Sequence, residues 1–223
     1  MKWNFKREIF VLAILIVWII FAFYYYSFLP QTVATHFNAE GNPNGYSSKL
    51  TLLLIGCGIP VVTYFFLTFI PYIDPFKKKI EKNFNIFLLI RDLVIVFMIF
   101  MMFLTFVSAK ENTFRSDLFG IGFGLLFIML GNYLPKLPRN FFFGIRSPWM
   151  LASEVVWYRT HRISGVLFAL GGLLIIILTL FKVMLLISIL AVVVPLSIYT
   201  AFVYPYLLFK KLQKEGELDK PDL

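Results

Sequence analysis

The chain has 223 residues, of which 60% are hydrophobic and 19% aromatic, and its mean hydropathy is +0.82. Soluble globular domains are less apolar than this, so the composition excludes that class. The net charge of +9 could indicate a nucleic-acid-binding protein. We reject that interpretation because the basic residues are scattered between apolar stretches, and we expect contacts with anionic lipid head groups instead.

Six apolar stretches approach or exceed the roughly 20 residues that a helix needs to cross a bilayer. They are residues 9–28, 50–72, 93–109, 118–134, 163–181 and 183–209. Membrane-spanning strands are shorter and alternate in polarity, and peptide groups in hydrocarbon must be hydrogen-bonded internally. The sequence therefore predicts an all-α membrane protein with six transmembrane helices, the first of them uncleaved.

Lysine and arginine are concentrated in every second segment between the apolar stretches. Basic residues are retained on the cytoplasmic side of a membrane. Sixteen of the 21 occur at the N-terminus, in the second and fourth loops and in the C-terminal tail (Lys2, Lys6, Arg7, Lys77, Lys78, Lys79, Lys82, Lys136, Arg139, Arg146, Arg159, Arg162, Lys210, Lys211, Lys214, Lys220). The other gaps contain only Lys49, Lys110, Arg115 and Lys182. This pattern predicts a multi-pass protein of the cell membrane with both termini cytoplasmic.

The first long polar loop, residues 29–49, is external under this topology. Pro43, Asn44 and Gly45 form a turn signal, and residues 32–37 favour a strand, so we predict a short external hairpin. His36 is the only histidine in this loop. It could sense acid or coordinate a metal, or it could form a hydrogen bond that pins the loop against the helix ends.

Arg91 and Asp92 interrupt an apolar run that begins at Phe84. Charges inside a membrane are costly and often functional. We favour an interfacial position, in which Arg91 extends inward to water and about 17 apolar residues follow it. Burial of Asp92 against another helix is the alternative.

The second long polar loop, residues 135–162, is predicted to be cytoplasmic. Pro135 and Pro138 end the fourth helix, and Ser147 followed by Pro148 predicts a helix start. The following helix would run over residues 149–162 with an apolar residue every seven positions. This pattern predicts an amphipathic helix at the inner interface.

Small residues and prolines are common in the last three spans. Gly120, Gly122, Gly124, Gly131, Gly171 and Gly172 allow close helix approach, whereas Pro195, Tyr204 and Pro205 kink or end the sixth span. Such features can frame a conduction path, but we predict helix packing instead.

Several motifs in these loops carry a family resemblance. Residues 131–136 (GNYLPK), 140–149 (NFFFGIRSPW) and 154–157 (EVVW), then Thr160, His161 and Arg162 with Gly165, resemble the SdpI family of bacterial membrane immunity proteins. The external stretch, with HFN at 36–38, Gly41, GY at 45–46 and SK at 48–49, resembles an uncharacterised domain that often precedes this module. Met150 and Asn44 replace the threonine and aspartate usual in the family. The first change moves the expected cap to Ser147, and the second weakens any claim of external cation binding.

The resemblance implies two sets of candidate residues. The external set for a ligand or partner is His36, Asn38, Gly41, Gly45, Tyr46 and Lys49. The cytoplasmic set is Asn132, Asn140, Gly144, Arg146, Pro148, Trp149, Glu154, Trp157, His161 and Arg162. The second set could form a self-packed cap, a partner-binding surface in which Arg146 and Arg162 grip an acidic group, or an acid–base pair of Glu154 and His161.

The family's best-understood members confer resistance to a secreted sporulation-delay toxin, and one also holds a cytoplasmic repressor at the membrane. We therefore predict a non-enzymatic immunity or sensor protein without metal or cofactor, its partners being lipids, a secreted peptide toxin and a cytoplasmic transcriptional repressor. The alternative is a small-molecule or peptide transporter. Residues 1–75 would form a two-helix module with the external loop, and residues 76–223 an SdpI-like four-helix module.

Overall fold

The computed structural model describes residues 4–38 and 40–218, so Lys2 and Lys220 of the charge pattern lie outside the described residues. Its elements are α1 (Phe5–Tyr26), β1 (Thr32–Phe37), β2 (Pro43–Ser48), α2 (Lys49–Ile73), α3 (Lys77–Lys82), α4 (Phe84–Glu111), α5 (Ser116–Tyr133), a 3₁₀ turn (Leu134–Lys136), α6 (Pro148–Ala152), α7 (Glu154–Leu180), α8 (Leu185–Ile198), a π-helical turn (Tyr199–Val203) and α9 (Tyr204–Glu215).

Six helical segments are long and apolar enough to cross a membrane. They are α1, α2, α4, α5 with its 3₁₀ turn, α7, and the continuous segment from α8 through α9. The predicted all-α fold with six spans is thus confirmed. Because the spans alternate in direction, the hairpin and the α4–α5 and α7–α8 connections share one end of the bundle, the hairpin end. The connections around α3 and α6 share the opposite end, the loop end.

The predicted hairpin is also confirmed. β1 and β2 pair antiparallel from Thr32 opposite Ser48 to Phe37 opposite Pro43, with an irregularity around His36. Within β1, the side chains of Val33 and Ala34 are buried. Ser48 ends β2 and accepts a hydrogen bond from the Thr51 amide, so the same serine caps α2.

The helices pack as two groups joined by α4. On one side, α1, α2 and α4 enclose an aromatic and aliphatic core around Trp18, Leu53 and Phe106. On the other side, α5 packs closely along α7, and α8 packs on α7. α4 contacts both α2 and α5 and so joins the two groups. A second hydrophobic core, at the loop end, contains Phe87, Leu137, Met150 and Trp157.

The third span differs from the prediction, because α4 begins at Phe84 instead of residue 93. Arg91 therefore lies two turns inside the helix, where it is 1% exposed. The favoured interfacial position, with Arg91 reaching water, was wrong. Glu8 of α1 and Asp92 of α4 pair with the guanidinium, and the Thr68 hydroxyl of α2 accepts a hydrogen bond from it, so it gains nothing by extending to water.

The helix predicted over residues 149–162 is broken at Ser153. Pro148 does begin α6, and Ser147 occupies the N-cap position, but no capping bond from its side chain is found among the described residues. Ser153 is extended and its hydroxyl accepts a hydrogen bond from the Val156 amide, so α7 starts anew at Glu154. The segment that was expected to lie along the interface is therefore the first part of the fifth span.

The sixth span contains a π-helical turn after Pro195. Proline lacks an amide hydrogen and disturbs the regular ladder, and the Thr200 hydroxyl bonds the Leu196 carbonyl at 2.7 Å in this region. Pro205 then enters the first turn of α9. The prolines therefore deform this span without ending it.

Candidate functional site

The predicted external set of candidate residues lies at the hairpin end, and we call it the hairpin-end set. One glycine, Gly45, determines how closely its two strands approach. His36 faces Gly45 across the hairpin, and its ring nitrogen Nδ1 contacts the Asn44 side-chain oxygen. A Cβ at Gly45 would lie 2.8 Å from the His36 Cβ, closer than side chains pack, so this register requires glycine. His36 itself is exposed. The hydrogen bond of His36 thus lies within the hairpin and not against the helix ends as predicted, and part of the imidazole is accessible.

The hairpin tip is a tight turn. The Asn38 side chain accepts a hydrogen bond from the Asn42 amide at 2.8 Å, and Gly41 has a φ of +84°, which favours glycine. Phe37 stacks on Phe114 of the α4–α5 connection with ring centroids 5.2 Å apart. Asn38 and Gly41 therefore shape the tip, and Phe37 holds it on the bundle.

The last two residues of this set differ in role. Tyr46 is 60% exposed and presents its ring outward. The Lys49 ammonium lies 4.6 Å from the centroid of the Tyr26 ring and also reaches the Leu29 carbonyl. Lys49 thus anchors the base of the hairpin, whereas the side chains of His36 and Tyr46 are exposed.

The predicted cytoplasmic set of candidate residues lies at the loop end, and we call it the loop-end set. Trp157 is at its centre. Its side chain is fully buried, and its indole N–H donates to the Leu137 carbonyl at 2.8 Å. The His161 ring stacks on it at 4.2 Å, and the His161 Nδ1 lies 3.0 Å from the Trp157 carbonyl. Gly144, with a φ of +89°, sits against His161, since a Cβ there would lie 2.7 Å from Nε2. Only glycine allows this loop to close over the histidine.

Asn140 organises the loop that covers Trp157. Its side-chain oxygen accepts hydrogen bonds from the amides of Phe142 and Phe143 at 2.9 and 2.6 Å, and its amide group donates to the Pro138 carbonyl. The side chain is fully buried. We call residues 137–153 together with the first two turns of α7 the loop-end cap. The Asn140 side chain thus fixes the backbone of the cap from within.

Two residues outside the predicted set attach this cap to the first half of the chain. Asp74 is buried at the end of α2 and accepts hydrogen bonds from the amides of Phe76 and Phe141 at 2.7 and 2.8 Å. Arg139 is buried, stacks over Phe76 at 4.7 Å and donates to the Leu151 carbonyl. Sequence reasoning missed both, because Asp74 was treated as loop and Arg139 as one more topological charge. The only local signal was a carboxylate at a helix end followed by proline.

Glu154 makes a second attachment. Its carboxylate accepts from the Lys79 ammonium at 2.8 Å, which joins α7 to α3. His161 packs on Trp157, so the structure gives Glu154 and His161 separate neighbours and does not present them as an acid–base pair.

The remaining predicted residues face outward. Arg146, Arg162 and Asn132 are exposed, and the Arg146 guanidinium donates to the Phe141 carbonyl. Pro148 is also exposed, and Trp149 packs edge-on against Tyr206 of α9 with centroids 5.2 Å apart. The loop-end set therefore divides into a buried part that folds the cap and an exposed part that includes Arg146 and Arg162.

A third polar cluster lies among α1, α2 and α4. The Arg91 guanidinium lies 2.8 Å from a Glu8 oxygen and 2.7 Å from an Asp92 oxygen, and it donates to the Thr68 hydroxyl at 3.0 Å. The Tyr64 hydroxyl donates to the same Glu8 oxygen at 2.9 Å. Sequence reasoning missed Glu8, which stands just before the first apolar stretch and looked like a boundary charge. Within the part of the chain that the structure describes, no three His, Cys, Asp or Glu side chains group as metal ligands.

Comparison with known proteins agrees with the motifs. Residues 136–205 match the SdpI/YfhL protein family, and residues 12–69 match a domain of unknown function, DUF1648. Immunity protein SdpI of Bacillus subtilis (strain 168) is 26% identical over 188 residues, which are 84% of this chain and 88% of that protein. No solved structure matches the chain significantly. The predicted resemblance is confirmed: the chain is a multi-pass membrane protein that is similar to the SdpI/YfhL family over residues 136–205 and to the DUF1648 domain over residues 12–69, ahead of that segment.

Proposed function

We propose that the protein is a non-enzymatic immunity or sensor protein of the cell membrane that protects against a secreted, membrane-active peptide toxin. The observation that carries the proposal is the similarity to Immunity protein SdpI across 84% of the chain. The two polar surfaces at opposite ends of one helical bundle are consistent with it. The hairpin end would meet the peptide, and the loop-end cap would face the cytoplasm together with both termini.

A mechanical path joins these two ends. Strand β2 runs directly into α2 at Lys49, and α2 ends at Asp74, whose carboxylate binds the Phe141 amide of the cap. A helix of 25 residues spans about 37 Å, which is enough to cross the bilayer. Movement of the hairpin would therefore reach the cap through one continuous helix. Signalling requires two bundle states with different affinities for the peptide.

The exposed arginines of the cap suit a partner with acidic groups. Arg146 and Arg162 can each bind a carboxylate through two parallel hydrogen bonds. We propose that a cytoplasmic transcriptional repressor docks there when toxin is bound. We further propose two modules, residues 1–75 and 76–223. The two matched segments lie on either side of this boundary.

Toxin challenge tests the immunity proposal. A sensitive strain that produces the full chain should survive the secreted sporulation-delay toxin at concentrations that kill the strain with an empty vector. Tyr46→Ala should reduce protection because Tyr46 is exposed on the hairpin and its removal leaves the core intact. Thr35→Ala, at another exposed hairpin position, is the matched control. Killing of the producing strain at the empty-vector concentration, with normal membrane levels of the protein, would contradict the proposal.

Cysteine labelling tests the proposed orientation. Cys57 is the only cysteine in the sequence, so a Cys57→Ser background is free of thiols. A cysteine introduced at Asn44 in the exposed hairpin should react with a membrane-impermeant maleimide on intact cells. A cysteine introduced at Ala152 in the cap, also exposed, should react only after the cells are opened. The reverse labelling pattern would place the hairpin in the cytosol and refute the assignment of both faces.

A transporter is the second candidate, because the structure contains features that transporters use. Glu8, Arg91 and Asp92 form a polar cluster between spans, and the sixth span is interrupted by a π-helical turn. Flux of an amphipathic peptide into proteoliposomes would favour this candidate. Protection without flux would favour immunity.

A further inference from the structure

The cluster of Glu8, Arg91 and Asp92 contains more negative than positive charge. One guanidinium lies between two carboxyl groups, at 2.8 Å from Glu8 and 2.7 Å from Asp92. The Arg91 and Glu8 side chains are 1% and 3% exposed, and that of Asp92 is 20% exposed. Arginine stays protonated in proteins, so two ionised carboxylates would leave one uncompensated negative charge among three helices.

The other groups that face the cluster cannot supply the missing positive charge. From α2 come the Tyr64 hydroxyl and the Thr68 hydroxyl, both neutral. The Tyr72 hydroxyl, within electrostatic reach of Glu8 and Arg91, is buried and finds no hydrogen-bond partner among the described residues. Among the residues that the structure describes, the ion pairs found in the cluster from α1 and α4 are those of Glu8, Arg91 and Asp92 themselves. An unpaired buried charge is strongly unfavourable, and it is removed most simply by neutralisation of one carboxylate.

We propose that the cluster is a proton-binding site, in which one bound proton neutralises one of the two carboxyl groups that pair with the single guanidinium of Arg91. The partly exposed Asp92 is the route by which the proton exchanges. Loss of the proton would place a net negative charge where α1, α2 and α4 meet and would weaken their packing. The proposal does not rest on the immunity proposal, since Glu8, Arg91 and Asp92 belong to neither the hairpin-end nor the loop-end set of candidate residues and the test below involves no toxin.

Infrared spectroscopy of the purified full-length protein tests this site, because a protonated carboxyl group has a C=O stretching band that an ionised one lacks. The folded protein at neutral pH should show such a band, and the band should shift in D₂O. Asp92→Asn and Glu8→Gln should each abolish it, because either change leaves one carboxylate for one guanidinium. Glu111→Gln, which alters an exposed carboxylate paired with Arg115, should leave the band unchanged.

Three outcomes would overturn the proposal. One is the absence of the band from the folded wild-type protein. The second is persistence of the band in either Asp92→Asn or Glu8→Gln. Each variant on its own tests the ratio of two carboxyl groups to one guanidinium, so one suffices if the other does not fold. The third is a missing band together with thermal stabilisation by sodium ions but not by choline, which would identify an alkali cation as the occupant.

Discussion

Replacement of Arg91 with glutamine is expected to lower the free energy of unfolding by about 3–5 kcal/mol, because removal of one partner from a buried ion pair leaves uncompensated charge. Glu8 would keep only the hydrogen bond from Tyr64, and Asp92 would lose its cation. Denaturant titration in mixed micelles measures the change. Arg115→Gln is the matched control, since Arg115 pairs with Glu111 on the surface and its side chain is 44% exposed. Exposed pairs contribute at most about 1 kcal/mol.

A rescue experiment separates the charge effect from lost packing. The triple variant with Arg91→Gln, Glu8→Gln and Asp92→Asn carries no charge in the cluster, and amides can replace several of its hydrogen bonds. We expect it to recover a substantial part of the stability that Arg91→Gln loses. If Arg91→Gln were no more damaging than Arg115→Gln, or if the triple variant were less stable than Arg91→Gln alone, the cluster would not be held together by charge.

Replacement of Gly172 with alanine is expected to separate α5 from α7 and to destabilise the protein by about 1–3 kcal/mol or more, the range for overpacking. A Cβ at Gly172 would lie 2.4 Å from the Gly124 carbonyl oxygen and 2.9 Å from the Ile128 nitrogen, and both are backbone atoms of α5. Backbone atoms in a helix cannot move aside as a side chain can. The effect is measured as the shift in the thermal midpoint in detergent, where unfolding is monitored by the loss of monodisperse protein.

Gly58 provides the matched control for this substitution. It also lies within a spanning helix, but a Cβ built there meets no atom within 4 Å. Gly58→Ala should leave the midpoint unchanged or raise it, since alanine favours helix by about 1 kcal/mol over glycine. Equal effects of the two substitutions would show that close approach of α5 and α7 does not limit stability.

The glycine pairs illustrate how far local sequence carries a prediction. The glycines in the fourth and fifth spans predicted close helix packing, and the structure shows it between Gly124 and Gly172 and between Gly131 and Gly165. The sequence could not identify the partners, because any two spans with small residues could pack in this way. The pairing follows from the antiparallel order of α5 and α7, which lie side by side over most of their length.

The candidate residues show the same division. Trp157, Asn140 and Gly144 were singled out by motif, and the structure explains them as parts of one folded cap. The break at Ser153 was missed because Ser147 with Pro148 is the stronger local start signal, although Ser153 caps α7 and the acidic Glu154 stands in its first turn. Asp74 was missed because its role depends on Phe141, 67 residues away in sequence.

The number of spans and the hairpin were determined by the chain on its own, because burial in hydrocarbon and turn formation depend on residues close together in sequence. Tertiary structure alone decided that Arg91 is buried beside Glu8 and that Asp74 joins α2 to the cap. These contacts depend on which helices become neighbours. The energy of a charge inside a protein is set by those neighbours more than by the residues beside it in the chain.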